Sequence, residues 1–255
     1  MIKNALSVDL ESFVHRQLNQ KDRISEDNGH TVAATNYLLD LFDEYNTKVS
    51  FFVLGEIFEW YPDLVVEIKK RGHEIGYHGH RHIFLKDKET LLEELKLSKK
   101  FIEKYKPIGF RAPRMFLKKE YLKILSDYGF KYDSSVYGSK EEIIDGIKEI
   151  PVSMFSYIGI NSLKFSNNMG EKLLEGIPYG SGLFISLLQK KIQYFIENTN
   201  RKGKAANIFI HPWQFSDYEK ISLTFSQKFL YKKKINKTLE YLLSKNKFFP
   251  VKDLL

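Results

Sequence analysis

Short apolar runs alternate with amphipathic stretches through most of this 255-residue chain. Runs of about four to eight apolar residues between polar or Gly-containing segments read as buried strands, whereas apolar spacings of three and four read as one helix face. On that basis strands are predicted at 5–8, 49–54, 73–77, 108–111, 130–136, 206–211 and 248–251. Helices are predicted between them at 31–45, 57–71, 90–105, 118–128, 183–198 and 226–244. Thr31 is a candidate cap for the first helix, which turns Leu38, Leu39, Leu41 and Phe42 inward, and Gly72 closes the second. The stretch 138–182, rich in Gly, Ser and Asn, is predicted to be irregular, with a hairpin near 153–165. This succession of strand and helix favours an α/β fold on a parallel sheet, open or closed into a barrel. No linker, repeat or shift in composition divides the chain, so one domain spanning 1–255 is expected.

The polar residues then acquire a positional meaning. Asp9 and Glu11, His78 and His82, Arg111, Asp133 and His211 all sit at the ends of separate predicted strands. In barrels of this kind, groups at the C-terminal strand ends converge on one mouth.

Composition narrows the picture. The hydrophobic fraction is 43% and the aromatic fraction 15%, which supplies a core and excludes a disordered chain. A net charge of +8 permits anionic partners. The densest basic runs, 69–71 and 232–234, fall within amphipathic helical patterns and read as solvated faces, so nucleic acid is not expected as a partner. With no cysteine, any metal site must use nitrogen and oxygen ligands. The apolar run at 5–8 is too short to be read as a secretory signal, and no uncharged apolar run approaches the roughly 20 residues that span a bilayer. A cytoplasmic location without a transmembrane segment is therefore expected. Nothing in the pattern fixes an oligomeric state.

Candidate chemistry starts at Gly76-Tyr-His-Gly-His-Arg-His82, which sets His78 and His82 four residues apart on one helical turn or a turn-like loop, able to grip one metal ion. Ser7-Val-Asp-Leu-Glu11 places two carboxylates on the same side of an extended strand. One of them can complete a His-His-carboxylate set and the other can serve as general base. His80 between the candidate ligands reads as a support behind them or as structural, and His73 as buried and hydrogen-bonded. The contexts of His15 and His30 assign them no role. Arg111, followed by Pro113, can orient a carboxylate. His211 leaves an apolar strand and is pinned by Pro212 and Trp213, the rigid mount and aromatic wall a general acid needs. Tyr179-Gly-Ser-Gly182 can bring backbone N–H groups close to a ligand.

Asp9-Leu-Glu11, His78-Gly-His-Arg-His82, Arg111-Ala-Pro113, Asp133 and Ile210-His-Pro-Trp213 resemble, in order, the motifs of the polysaccharide deacetylases, carbohydrate esterase family 4 or the NodB-homology domain. Ser50-Phe-Phe-Val-Leu-Gly55 and Gly72-His-Glu-Ile-Gly76 match between them, and the opening and the His-Pro-Trp motif are closest to the branch linked with exopolysaccharide and cell-envelope assembly. The resemblance implies a distorted (β/α) barrel with about seven strands and a divalent metal, most often Zn2+, with Co2+, Ni2+ or Fe2+ as alternatives. It implies hydrolysis of N-acetyl groups on the amino sugars of a glycan. Carried over, Asp9 is the general base, Glu11, His78 and His82 are the metal ligands, and His211 is the general acid. Arg111 orients Asp9, and Asp133 lies near His211 and tunes it. Arg114, Trp213 and Tyr179 are the candidate substrate-binding residues. Three departures stand out: Leu10 separates the two acids, Arg114 follows Pro113 where an aromatic is usual nearby, and a tryptophan usual near 136 is missing.

A base and an acid that act in opposite protonation states imply a bell-shaped pH profile. Two other readings compete. The same site can cleave another amide or ureide C–N bond, with Arg114 suited to an anionic small substrate. Less favoured is a catalytically inactive glycan-binding domain that keeps the fold.

Overall fold

All seven residues of the first strand, β1 (Asn4–Leu10), are buried, as in a strand inside a parallel sheet that is covered on both faces. The computed structural model describes residues 2–16, 23–157, 165, 173–216 and 235–255. β1 pairs in parallel with β2 (Ser50–Val53) along one edge and with the strand Asn207–Ile210 along the other. From β2 the sheet runs through β3 (Glu74–Tyr77), β4 (Gly109–Phe110) and β5 (Tyr132–Asp133) to the strand Ile147–Glu149, all parallel. An antiparallel strand, Glu142–Ile144, closes that side, and Phe248–Phe249 pairs with the start of β1. The result is a nine-stranded half-barrel, with every one of the seven expected strands in it.

The two additional strands correct the reading of 138–182. The hairpin lies at 142–149, where Asp145 (φ 50°) and Gly146 (φ 81°) form the two-residue turn between Ile144 and Ile147. Asp-Gly is the sequence that favours a turn with both central residues at positive φ. Near the expected position, Phe155–Ser156 pairs instead with Gly176–Ile177; residues 158–164 lie outside the described residues.

Helix boundaries follow local chemistry. Pro62 cannot donate the backbone bond an uninterrupted helix needs, so the predicted helix at 57–71 is two, Gly55–Trp60 and Pro62–Lys70. The predicted helix at 90–105 begins earlier, at Lys88, because the Asp87 carboxylate accepts from the Thr90 N–H at 2.8 Å. It breaks at Ser98 into Lys88–Leu97 and Lys99–Tyr105. The last helix is Asn236–Lys245; the predicted part at 226–234 lies outside the described residues.

Packing sets the end of β3. The Tyr77 ring stacks on Phe130 at 5.9 Å and meets Phe110 at 5.7 Å, and its hydroxyl donates to the Glu94 carbonyl at 2.8 Å. That anchor fixes where the next residue, His78, leaves the sheet.

His73 is buried against Phe42 and Phe51, and its Nδ1 accepts from the Val49 N–H at 3.2 Å. Burial lowers its pKa to about 4, with Lys48 and Arg71 adding to the effect. The unfolded chain takes up this proton near pH 6.5 and the folded chain only near 4. The neutral ring therefore stabilises the fold fully above about pH 6.5, and that contribution is lost as pH falls towards 4. The expected loss is roughly 3 kcal/mol at most. His73→Gln, which keeps an acceptor, should flatten the fall of Tm between pH 6.5 and 4; an unchanged slope would rule this residue out as its source.

Candidate active site

The predicted residues come together at the C-terminal edge of the sheet. Asp9, Glu11, His78, His82 and His211 line one cleft of about 430 Å³, with Arg114, Tyr137, Ser181, Phe209 and Trp213 among its other walls.

Arg111, at the end of β4, is completely buried, and every part of its guanidinium is engaged. Nη1 donates to Asp9 Oδ1 and to Ser7 Oγ, both at 2.7 Å. Nε donates to the Ser134 carbonyl and Nη2 to Ser134 Oγ, each at 2.9 Å. Phe52 and Phe209 pack against it at 4.3 and 4.9 Å from the ring centres. One oxygen of Asp9 is thereby fixed, while Oδ2 turns towards His78 Nε2 at 3.9 Å.

Glu11, His78 and His82 offer ligand atoms that all lie within 4.8 Å of one another. The loop carrying the histidines is not helical. Gly79 (φ 84°) and His82 (φ 59°) turn the chain back on itself, which brings both rings to the same side. His78 Nδ1 lies 2.8 Å from the Arg111 carbonyl. A carbonyl only accepts, so Nδ1 carries the hydrogen and Nε2 presents its lone pair to the cluster. Burial lowers the His78 pKa to about 4, keeping the ring neutral as a metal ligand must be. His82 Nε2 lies 2.5 Å from Glu11 Oε2. Burial alone would raise the Glu11 pKa, but His82, with His211 and His78 behind it, brings it well below the usual carboxylate range. A neutral imidazole with its lone pair turned inward, a second imidazole and an ionised carboxylate fit a divalent cation.

His211 extends from the strand Asn207–Ile210, with Nε2 3.6 Å from Glu11 Oε1. Its ring stacks on Trp213 at 4.5 Å, and Trp213 Nε1 donates to Glu11 Oε1 at 2.9 Å. Trp213 is thus both a wall of the cleft and an anchor for the candidate ligand. Gln214 Nε2 donates to the Gly182 carbonyl at 2.8 Å and to Ser186 Oγ at 2.7 Å, which turns its Oε1 towards His211. That oxygen accepts the His211 N–H at 2.8 Å and lies 3.4 Å from Nδ1. Gly182 leaves room for this arrangement: a Cβ there would sit 2.9 Å from His211 Nδ1.

Two expected placements are corrected. Asp133 is not beside His211: its carboxylate accepts from Ser135 N at 3.0 Å and Ser135 Oγ at 2.6 Å, and it faces Glu149 across the neighbouring strand. Burial raises the pKa of both acids, and the nearby Asp133 raises that of Glu149 further. No sign of the pairing with Glu149 is visible in the turn-like sequence around Asp133. Tyr179 is fully buried, bonded to Thr199 Oγ1 at 2.6 Å, and borders a separate cavity of about 340 Å³. Its apolar ring packs on Phe195 at 5.4 Å, which draws it away from the cleft.

Arg114 does reach the cleft. It and Met115 both adopt positive φ (59° and 57°), and its guanidinium lies 4.4 Å over the Phe84 ring. His80 is not among the residues of the cleft wall; its Nδ1 lies 3.1 Å from Ser98 Oγ and its Nε2 3.9 Å from Glu59 Oε2. His15, which had no assigned role, underlies the cluster. It stacks on Trp60 at 4.8 Å, meets the His82 ring edge-on at 6.5 Å, and its Nε2 lies 3.2 Å from Glu56. Sequence reasoning also missed Ser7, Ser134 and Gln214; only Gln214, three residues after His211, carried a local capping signal.

Fold and site together define a half-barrel protein with a carboxylate–histidine cluster at the C-terminal ends of its strands. Residues 24–132 match the family profile described as polysaccharide deacetylase. A peptidoglycan-N-acetylglucosamine deacetylase of Bacillus cereus is 31% identical over 112 residues, 42% of this chain and 53% of that protein. The peptidoglycan-N-acetylmuramic acid deacetylase PdaC of Bacillus subtilis is 33% identical over 92 residues, 34% of this chain and 20% of that protein. The chain thus spans about half or less of the length of the curated relatives it matches. A solved structure assigned to the polysaccharide deacetylases, from Mycobacterium smegmatis, superposes with a TM-score of 0.66 at 18% identity, over 97% of this chain and 86% of the other, a likeness of fold. Over the matched part, residues 24–132, the chain is thus similar to the polysaccharide deacetylases.

Proposed function

We propose that this chain is a metal-dependent hydrolase that removes N-acetyl groups from the amino sugars of a glycan. The observation that carries this reading is the convergence, in one cleft, of Glu11, His78 and His82 with an Arg-held carboxylate and a stacked histidine. The ligand set suits Zn2+ best, with Co2+, Ni2+ or Fe2+ able to replace it. When bound, such an ion lowers the pKa of water towards about 7 and polarises an amide carbonyl.

The protein residues supply the rest. Asp9, with Oδ1 held by Arg111, keeps Oδ2 free to take the proton of the attacking water. His211, whose Nδ1 faces Gln214 Oε1, carries Nε2 into the cleft 3.6 Å from Glu11 Oε1 and protonates the departing amine through it. That proton is required because an amide nitrogen leaves poorly as an anion. Acetate and a free amino sugar are the products. Arg114 adds a cation to the cleft wall and favours glycans with an acidic substituent near the acetamide.

The test is acetate release from a panel of N-acetylated glycans, neutral and acidic, by Zn2+- or Co2+-loaded protein. Ammonia release from ureides is followed in parallel. Acetate production that stops with a chelator and returns with the ion is the expected result. Ureide cleavage without acetate release would replace this reading with the other hydrolase reading. Glycan binding with no turnover at all would leave a binding domain.

A further inference from the structure

Resting on that reading of the cluster as a metal centre, we infer that Glu94 is a positioning residue: its buried carboxylate holds the loop between His78 and His82 in ligand geometry before any ion arrives. Glu94 comes from the helix Lys88–Leu97, outside the cleft, and has no solvent exposure. Its Oε2 accepts from the His80 N–H at 2.7 Å and from the Arg81 N–H at 2.8 Å, the two consecutive amides midway between the candidate ligands. Its Oε1 accepts from Arg81 Nε at 2.7 Å, so the loop's own guanidinium balances the charge.

The need for such a group follows from the backbone. Leaving β3, the chain enters a turn with Gly79 and His82 at positive φ, and a loop of this kind leaves buried amides without ladder partners. The opposite edge is held from another direction: the Gly79 and His80 carbonyls accept from the Gly55 and Glu56 N–H groups at 2.9 and 3.1 Å. Gly79 is fitted to the same clamp, since a Cβ there would lie 3.4 Å from Glu94 Oε2 and 3.0 Å from Pro113. With both edges fixed, the separation and facing of the two imidazoles are set by the protein. Capture of an ion then does not have to order the loop, and that saving appears as affinity.

Glu94→Gln is the discriminating substitution. An amide keeps one acceptor oxygen but turns an NH2 either towards two backbone N–H groups or towards the guanidinium, so one side of the clamp is lost. Co2+ and Zn2+ affinities are measured by competition with a chromophoric chelator, alongside melting of the metal-free proteins. Glu94→Gln is expected to weaken metal binding by roughly 10–100-fold in protein that remains folded. Glu93→Gln, which touches only the outer edge of Arg81, should bind as wild type does. Binding by Glu94→Gln within about twofold of wild type, with or without a lowered melting point, overturns the inference while leaving the metal centre standing. A wild type that takes up neither ion overturns both. Amide exchange of the unsubstituted protein gives an independent readout if the variant fails to fold. The His80 and Arg81 amides should be equally protected with and without Co2+. Protection that appears only on adding the ion would assign the order of the loop to the metal and overturn the role given to Glu94.

Discussion

Asp9→Asn is expected to lower the rate of acetate release by roughly 10²–10⁴-fold, the range of a lost general base. Asparagine is nearly isosteric, and its Oδ1 can still accept from Arg111 Nη1 across the 2.7 Å that separates that pair. The side facing His78 changes from a proton acceptor to an NH2 group, so the cleft keeps its shape and loses the chemistry. Cation uptake should be retained, because Glu11, His78 and His82 are untouched. The measurement is steady-state acetate release on the metal-loaded variant, with metal content determined on the same sample. Turnover within about threefold of wild type would remove Asp9 from the reaction and make the other carboxylate, Glu11, the first alternative as base. Loss of metal together with turnover would instead make Asp9 a ligand. The two N-terminal carboxylates are thus separated by one variant and two readouts.

The second large effect is on stability. Arg111→Met is expected to destabilise the fold by about 3–5 kcal/mol, because it leaves the Asp9 carboxylate buried without its cation. For a domain of this size that is a fall in Tm of roughly 6–20 °C. Methionine fills part of the slot between Phe52 and Phe209, so the loss is one of charge pairing more than of volume. The bonds from Nε and Nη2 to Ser134 are lost as well, and with them the tie between β4 and the segment after β5. Arg111→Lys should recover only part of the loss, since one ammonium group cannot reach Asp9 and Ser134 together in the same geometry. Adding Asp9→Asn to Arg111→Met should restore part of the stability by removing the stranded charge, a coupling that a double-mutant cycle reads directly. A single-variant cost below about 1 kcal/mol would mean that water enters and solvates Asp9, contrary to its burial.

Much of this arrangement was legible in the chain, for identifiable reasons. The parallel strands are largely apolar on both faces, so 5–8, 49–54 and 206–211 stand out as nearly continuous runs, and these three and 73–77 are strands within a residue or two at each end. The histidine pair and the two acids were found because metal chemistry restricts residue type and spacing. What escaped was whatever depends on distant packing. Glu149 gives no local sign that it faces Asp133, and that pairing takes Asp133 away from the role expected of it. Tyr179 sits beside residues that do reach the cleft, but a ring that packs on Phe195 is directed by a helix the local sequence does not name. His15 and Glu94 are polar residues in ordinary amphipathic or irregular contexts. Their partners lie respectively 41 and 14 residues away, at Glu56 and at the His80 amide. The missed hairpin differs: Asp145-Gly146 was a strong local turn signal, outweighed by the irregular composition around it.

The pairing of β1 with the strand Asn207–Ile210 also sets an order of events during synthesis. The Trp213–Glu11 hydrogen bond joins residues 202 positions apart, and the β1 pairing spans a similar length of chain. Until residue 213 has left the ribosome, β1 has one unpaired edge, Glu11 lacks its indole partner and the cleft has no His211. A nascent chain therefore carries both candidate histidine ligands and the Arg111–Asp9 pair well before it can complete the site. During that interval the open edge of β1 is the surface most exposed to mispairing with another chain.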